Sequence, residues 1–364
     1  MRSWFKSCAF AVLAAMPFLS TAPAFAQHYT QTNLVSDLAN QGAVTVDPNL
    51  KSPWGLSRSA ASEWWVDNQA TGTSSLYLGQ GGVFTMLPFI TIPTPTGKGV
   101  SHPTGTIFNG STDFDITAGN TATAAPFIFA TQDGTIAAWN PTVNLHTAVL
   151  KVDESARKAN FTGLTWAVID DRHFLLAANF HSGAVEVFDA NYKRVDDFTR
   201  SPVAGFAPYN VQAVGPNIVV TYAEQNGAKT AAVDGTGRGF VVLYDLRGRA
   251  IASLEKGPWF NAPWGVELAP QDFGTFSHTL LIGNQGSGAI AAFNPTSGQF
   301  LGFMLDAKGD TLVIPGLLGI EFGNGGTAGS PLSLYFAAGI NNHADGLFGT
   351  ITPVAAEFDA EDHE

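Results

Sequence analysis

Pro53-Trp54-Gly55-Leu56 is a phrase that the chain repeats, as Pro103-Thr104-Gly105-Thr106, Phe161-Thr162-Gly163-Leu164, Pro208-Tyr209-Asn210-Val211, Pro263-Trp264-Gly265-Val266 and Leu317-Leu318-Gly319-Ile320. Their third residues lie 50, 58, 47, 55 and 54 positions apart. Each phrase is followed by a second apolar run ending in a small or polar residue, then a turn, then a third run with an aromatic. Phe174-Leu175-Leu176-Ala177-Ala178-Asn179 with Val185-Glu186-Val187-Phe188 is a clear copy, and Leu280-Leu281-Ile282-Gly283-Asn284 with Ile290-Ala291-Ala292-Phe293 is another. Six units of about fifty residues with several short strands each describe an all-β protein, a six-bladed β-propeller. Asn210 replaces glycine in the fourth copy, and Asn is the residue that best tolerates glycine-like backbone angles.

The ends of the chain complete the ring. Blade six has strands expected over 317–322, 332–338 and 347–352, followed by the acidic stretch 355–364, which reads as a solvated, disordered tail. The segment 29–37 precedes blade one without a partner, so it is expected to supply the missing outer strand of blade six and close the ring. The propeller domain is thus 27–354. Upstream, Arg2 and Lys6, the apolar stretch Cys8 to Leu19 and Ala24-Phe25-Ala26 have the order of a signal peptide cut after Ala26. The expectation is an exported protein, periplasmic or extracellular, whose mature form keeps no cysteine, since Cys8 is the only one. No run reaches the eighteen or so apolar residues of a membrane span.

The composition agrees with this architecture. The chain holds 39 Gly, 20 Pro, 27 Phe, 8 Trp and 7 Tyr, and only 13% of its residues are charged, which favours turns and strands over long helices. With 18 basic against 30 acidic residues its net charge of −12 has the wrong sign for gripping nucleic acid or an anionic membrane.

The apolar-Gly phrase followed by a strand ending in Asp or Asn resembles the NHL and SMP-30/gluconolactonase-type propellers. Thr32-Asn33-Leu34-Val35-Ser36-Asp37, Ala130-Thr131-Gln132-Asp133-Gly134-Thr135-Ile136 and Gly205-Phe206-Ala207-Pro208-Tyr209-Asn210 are similar to an uncharacterised family of exported bacterial propeller proteins. The resemblance spans the mature chain and implies fold rather than activity.

In such a blade the start of the first strand and the turn between the second and third strands share one face of the disc. Trp54, His102, Tyr209, Asn210 and Trp264 fall at the first position, and Asp67, Gln132, Asp133, Asn179, His181, Glu224, Asn284 and His343 at the second. They are expected to ring one channel mouth. The Asp and Asn residues read either as Asx turns or as oxygen ligands. SMP-30-like propellers hold a divalent cation at this mouth, so the resemblance implies Asp67, Asn179, Glu224 and Asn284 as ligands of calcium or a transition metal. His102, His181 and His343 read either as loop histidines or as acid, base or metal ligands. The aromatics read as interblade packing or as the floor of a pocket for an apolar or carbohydrate ligand. Two functions follow from these residues. One is a metal-dependent hydrolase of the lactone or ester class, with His181 and Glu224 moving the proton. The other is a non-catalytic module that binds a small molecule or a protein. No Gly-x-Ser-x-Gly, His-Glu-x-x-His, Gly-x-Gly-x-x-Gly or P-loop pattern is present, so the usual serine hydrolase, zincin and nucleotide readings fall away.

Overall fold

In a computed structural model of the chain, which describes residues 28–83 and 87–354, the repeats fold as six antiparallel blades, five of them four-stranded and the sixth extended by the short strands Thr45–Val46 and Leu305–Asp306, which pair parallel to His28–Ser36. The blades begin with the inner strands Pro53–Ser57, Pro103–Phe108, Phe161–Ile169, Phe206–Val214, Pro263–Leu268 and Leu317–Phe322, and the later strands step outward. The expected leader 1–26 and tail 355–364 lie outside the described residues.

The alternation of side chains along a strand explains how the blades hold together. In Trp64–Asn68, Trp64 and Val66 join the cluster shared with blade six, whereas Trp65 points the other way into the cluster shared with blade two. Trp65 lies 4.0 Å from Phe127 and 4.8 Å from Trp139, ring centre to ring centre. A strand between two neighbours therefore has no solvent face, and all five of its residues are buried. The remaining blade pairs are joined by equivalent apolar clusters, and a further cluster of Trp54, Phe180, Tyr209, Trp264 and Leu318 caps the axis. A fully buried Leu, Val, Ile or Phe contributes about 1.5–3 kcal/mol, so these interfaces are the main stabilising element of a chain whose described residues include no disulfide.

Close approach explains the repeated glycine. A Cβ on Gly55 would stand 2.5 Å from the Thr104 carbonyl, one on Gly105 2.6 Å from the Leu164 nitrogen, and one on Gly319 2.6 Å from the Trp54 carbonyl. Each inner strand thus presses its glycine onto the next blade around the axis. Asn210 corrects the sequence-based reasoning, because neither it nor the phrase glycines have positive φ. Its Nδ2 donates instead to the Trp264 carbonyl at 2.9 Å and ties blade four to blade five.

His28–Ser36 is the outer strand of blade six, antiparallel to Leu347–Pro353 from Tyr29 opposite Pro353 to Ser36 opposite Leu347. The N-terminal strand therefore closes the ring as expected. Ser36 Oγ donates to the Gly346 carbonyl at 2.7 Å, and the Tyr29 hydroxyl donates to the Phe273 carbonyl of blade five at 3.0 Å. One hairpin, Asp115–Ala118 with Thr121–Ala124, is inserted in blade two and was not expected. No helix among the described residues is long and apolar enough to cross a membrane.

Candidate functional site

One mouth of the channel, here the upper one, is built from the starts of the inner strands and the turns after the second strands. Trp54 packs edge-on against Tyr209 at 6.2 Å and Trp264 at 6.4 Å. Trp264 Nε1 donates across the axis to the Thr162 carbonyl of blade three at 2.7 Å, so the indole plugs the channel instead of lining it. Directly below the plug the channel narrows to a cavity of about 30 Å³ among Gly55, Gly105, Asn210 and Gly319.

Above the plug is a pocket of about 260 Å³ bordered by Ser52, Trp54, Gln69, Gln132, Gln285 and His343. Its amides come from equivalent places: Gln69, Gln132 and Gln285 each directly follow the second strand of blades one, two and five, a position held in blade four by Gln225, whose Nε2 donates to the Phe180 carbonyl. Gln69 donates to Gln132 Oε1 at 2.9 Å, and Gln285 Oε1 accepts from the Tyr209 hydroxyl at 2.8 Å. The Gln285 amide nitrogen thereby faces His343 Nε2 at 2.7 Å. An amide can only donate there, so Nε2 is the acceptor and the imidazole proton sits on Nδ1, 3.3 Å from Ser52 Oγ. Burial lowers the His343 pKa, with Asp234 pulling the other way, and the ring stays neutral at pH 7. Burial likewise raises the Tyr209 phenol and keeps it protonated.

His343 is held there at a local cost. Asn341, Asn342 and His343 have φ of 53°, 55° and 65°, three consecutive left-handed non-glycine residues, a backbone state that persists only where its surroundings fix it. The ring lies 6.4 Å from Trp54 and directly against Gly339, where any Cβ would collide with it. On the far side the segment 225–238 folds over the mouth and brings Thr230, Ala231 and Ala232 to the pocket wall. Its root is pinned by Arg238 to Glu224 at 3.2 Å, and Asn160 Nδ2 donates to the Thr230 carbonyl at 3.0 Å. Gln132 and Thr230 also border an adjoining pocket of about 520 Å³ that contains His181 and Asp133.

Of the residues expected at this mouth, Trp54, Tyr209, Gln132 and His343 border the pocket together, and His181 lies in the adjoining one. Asn210 and Trp264 sit one layer down, at the plug. His102 is on the same face but is paired with Asp133, Nδ1 to Oδ1 at 2.9 Å, and this bond raises its pKa.

The four residues proposed as cation ligands are not brought together as a donor set. Asn179 Oδ1 accepts the Asn160 and Ser182 backbone N–H groups at 3.2 and 3.1 Å, and Asn284 Oδ1 accepts that of Asn261 at 2.9 Å, so both serve the turns of their own blades. Glu224 is engaged by Arg238. Asp67 is fully buried in blade one, and burial raises its pKa well above its ordinary value, with Ser74 partly opposing the shift. Among the described residues no group of three or more His, Cys, Asp or Glu is arranged to hold a metal. These side chains do not fit a shared divalent cation.

Ser52, Gln69, Gln285 and Asp234 were missed by reasoning from the sequence. The glutamines had a signal: Asn68-Gln69, Thr131-Gln132, Glu224-Gln225 and Asn284-Gln285 repeat at one position of the blade.

No family model matches the chain. It is 30% identical over 333 residues to the uncharacterized protein R648 of Acanthamoeba polyphaga mimivirus, covering 87% of this chain and 78% of R648. It is 27% identical over 336 residues to the uncharacterized protein L690 of the same virus, covering 88% and 85%. Among solved structures it is similar to a streptogramin B lyase, with a TM-score of 0.51 at 12% identity over 90% of this chain and 98% of the other. A glucose dehydrogenase gives a TM-score of 0.50 at 13% identity over 88% and 98%. Identities this low show a shared propeller fold and nothing about chemistry. The similarity in sequence is to the mimivirus proteins and that in fold to propellers at large, which corrects the expected likeness to exported bacterial, NHL or SMP-30 propellers specifically.

Proposed function

The chain belongs to the family of the mimivirus protein R648, and from its upper mouth we propose that it is a binding propeller for a small, uncharged, polyhydroxylated ligand of the carbohydrate type. The observation that carries this reading is the ring of amides. Gln69, Gln132 and Gln285, with Ser52, Thr230 and a neutral His343, offer donors and acceptors without a net charge beside the aromatic edge of Trp54. Hydroxyl groups suit such a wall, and an apolar sugar face suits an indole. A phosphate or carboxylate would find no cation among these groups.

The hydrolase reading has weaker support. His343 Nδ1 carries the proton that faces Ser52, so the imidazole is set up to donate to that hydroxyl and not to take its proton. With the cation ligands spent elsewhere, a metal-assisted route lacks its donor set as well.

The test is a thermal-shift and calorimetric screen of neutral mono- and disaccharides and polyols against the wild type and Trp54→Ala, with chelator present and absent. At least one compound is expected to raise the melting temperature of the wild type and not of the variant, independently of chelator. A response only to charged compounds, or one abolished by chelator, would reject this reading. Turnover of ester or lactone substrates that is lost in His343→Ala would restore the enzymatic one.

A further inference from the structure

The opposite end of the channel is a different chemical environment. Two residues beyond the glycine of each phrase stand Ser57, Ile107, Thr165, Gln212, Glu267 and Glu321, so equivalent register brings two carboxylates from neighbouring blades to the lower axis. Here the channel widens into a cavity of about 570 Å³, which shares Leu56, Thr106, Gln212 and Glu321 with the narrow segment above. Phe108 and Trp166 line it, and the indole is fixed by Nε1 donating to the Phe108 carbonyl at 3.1 Å and by contact with His173 at 5.3 Å.

The charge here is incompletely balanced. Arg58 is the charged group that faces both carboxylates, yet its Nε donates to the Phe322 carbonyl and stands 3.6 Å from Glu321 Oε1, and its guanidinium rests over Trp64 at 5.7 Å. Glu267 Oε1 accepts its neighbour's backbone N–H, that of Leu268, at 3.1 Å. Thr106 and Gln212 complete the wall and do not titrate. Burial raises Glu267 to about 7, and burial together with the Glu267 charge raises Glu321 to about 8, with Arg58 partly opposing both shifts. Near neutrality the pair compensates for missing positive charge by retaining a proton.

We propose that the lower mouth is a second binding site, for a small organic cation whose charged head sits at Glu267 and Glu321 and whose apolar body lies against Trp166 and Phe108. Aromatic walls beside a carboxylate pair are the arrangement that recognises ammonium groups, through charge and through the ring quadrupole. The head takes the place of the retained proton, so binding releases that proton. The trimmed end of the channel, closed above by Trp264, gives the site a floor.

The probe is benzyltrimethylammonium, whose charge does not change with pH, titrated calorimetrically into the full chain in 0.15 M NaCl, with benzyl alcohol as the neutral comparison. One saturable site is expected, with affinity rising at least about ten-fold from pH 6 to pH 8.5 as the competing proton is lost. Glu321→Gln and Glu267→Gln are each expected to weaken binding about ten-fold or more, and Trp166→Ala to weaken it several-fold. Near-ultraviolet circular dichroism checks that each variant is folded. Absence of saturable binding at pH 8.5, equal binding of benzyl alcohol, or an affinity that falls with rising pH in the wild type would overturn the proposal without recourse to any variant. Because the two mouths are separated by the plug, this result stands or falls apart from that of the saccharide screen.

Discussion

Gly55 and Asn210 occupy the same position in different repeats and do opposite things there. Glycine leaves room for the next blade, and asparagine fills that room with a hydrogen bond to Trp264. Gly55→Val drives a branched side chain onto the Thr104 carbonyl and is expected to cost about 3 kcal/mol or more. Asn210→Gly restores the consensus of the phrase yet strands a buried carbonyl, and is expected to cost about 1–3 kcal/mol. Chemical denaturation of both measures this, and a stabilised Asn210→Gly would mean that the bond contributes nothing. His343 provides a second residue-level expectation. Its pKa is lowered on folding, so the unfolded chain takes up a proton more readily, and the stability it contributes is present above about pH 6.5 and lost as the pH falls below that. Protonation also turns Nε2 into a donor facing the Gln285 amide. Ligand binding at the upper mouth is therefore expected to fail in mild acid, and Gly339→Ala, which forces the ring aside, should mimic that failure at pH 7.5.

At the scale of elements, period and punctuation made the inner three strands of every blade legible, and the unpaired segment 29–37 made the closure legible. Deleting residues 27–37 removes the outer strand of blade six together with the bonds of Tyr29 and Ser36, and exposes a long pairing edge. A melting temperature lowered by several degrees and a tendency to associate are expected. A truncated protein that melts within a degree or two of the parent would contradict the closure. What the sequence concealed was pairing across blades. Nothing local to Glu224 shows that Arg238 will hold it, nor does the string Asn341-Asn342-His343 announce a left-handed run, because these depend on groups brought together only by the closed ring. The ring of glutamines and the register-related pair Glu267 and Glu321 were, by contrast, visible as repeats. Of these only Gln132 is placed at the mouth by the sequence, because a single amide or carboxylate carries no chemical signal until its register partners stand beside it.

On the scale of the whole molecule, one propeller carries two unlike mouths, a neutral upper pocket and an acidic lower cavity, separated by an aromatic plug. Their titrations act in opposite senses. Glu321 and Glu267 have folded pKa values of about 8 and about 7, raised above those of the unfolded chain, so the folded state holds protons that are lost as the pH climbs. Their effect is to lower stability from about pH 5 upward to about 9, whereas His343 lowers it in mild acid. The melting temperature is expected to fall between pH 7 and 9 in the wild type and to flatten in Glu321→Gln. The most direct measurement of function is made at the upper mouth. Protein labelled with ¹⁵N in its tryptophans is titrated with the saccharides that raise the melting temperature, and the indole signals are assigned by single Trp→Phe variants. A saturable shift confined to Trp54 and Trp264, absent in Gln285→Ala, is the result expected of a neutral ligand seated on the amide ring. Shifts that spare Trp54, or that persist unchanged in Gln285→Ala, would place the ligand elsewhere and contradict the proposed function.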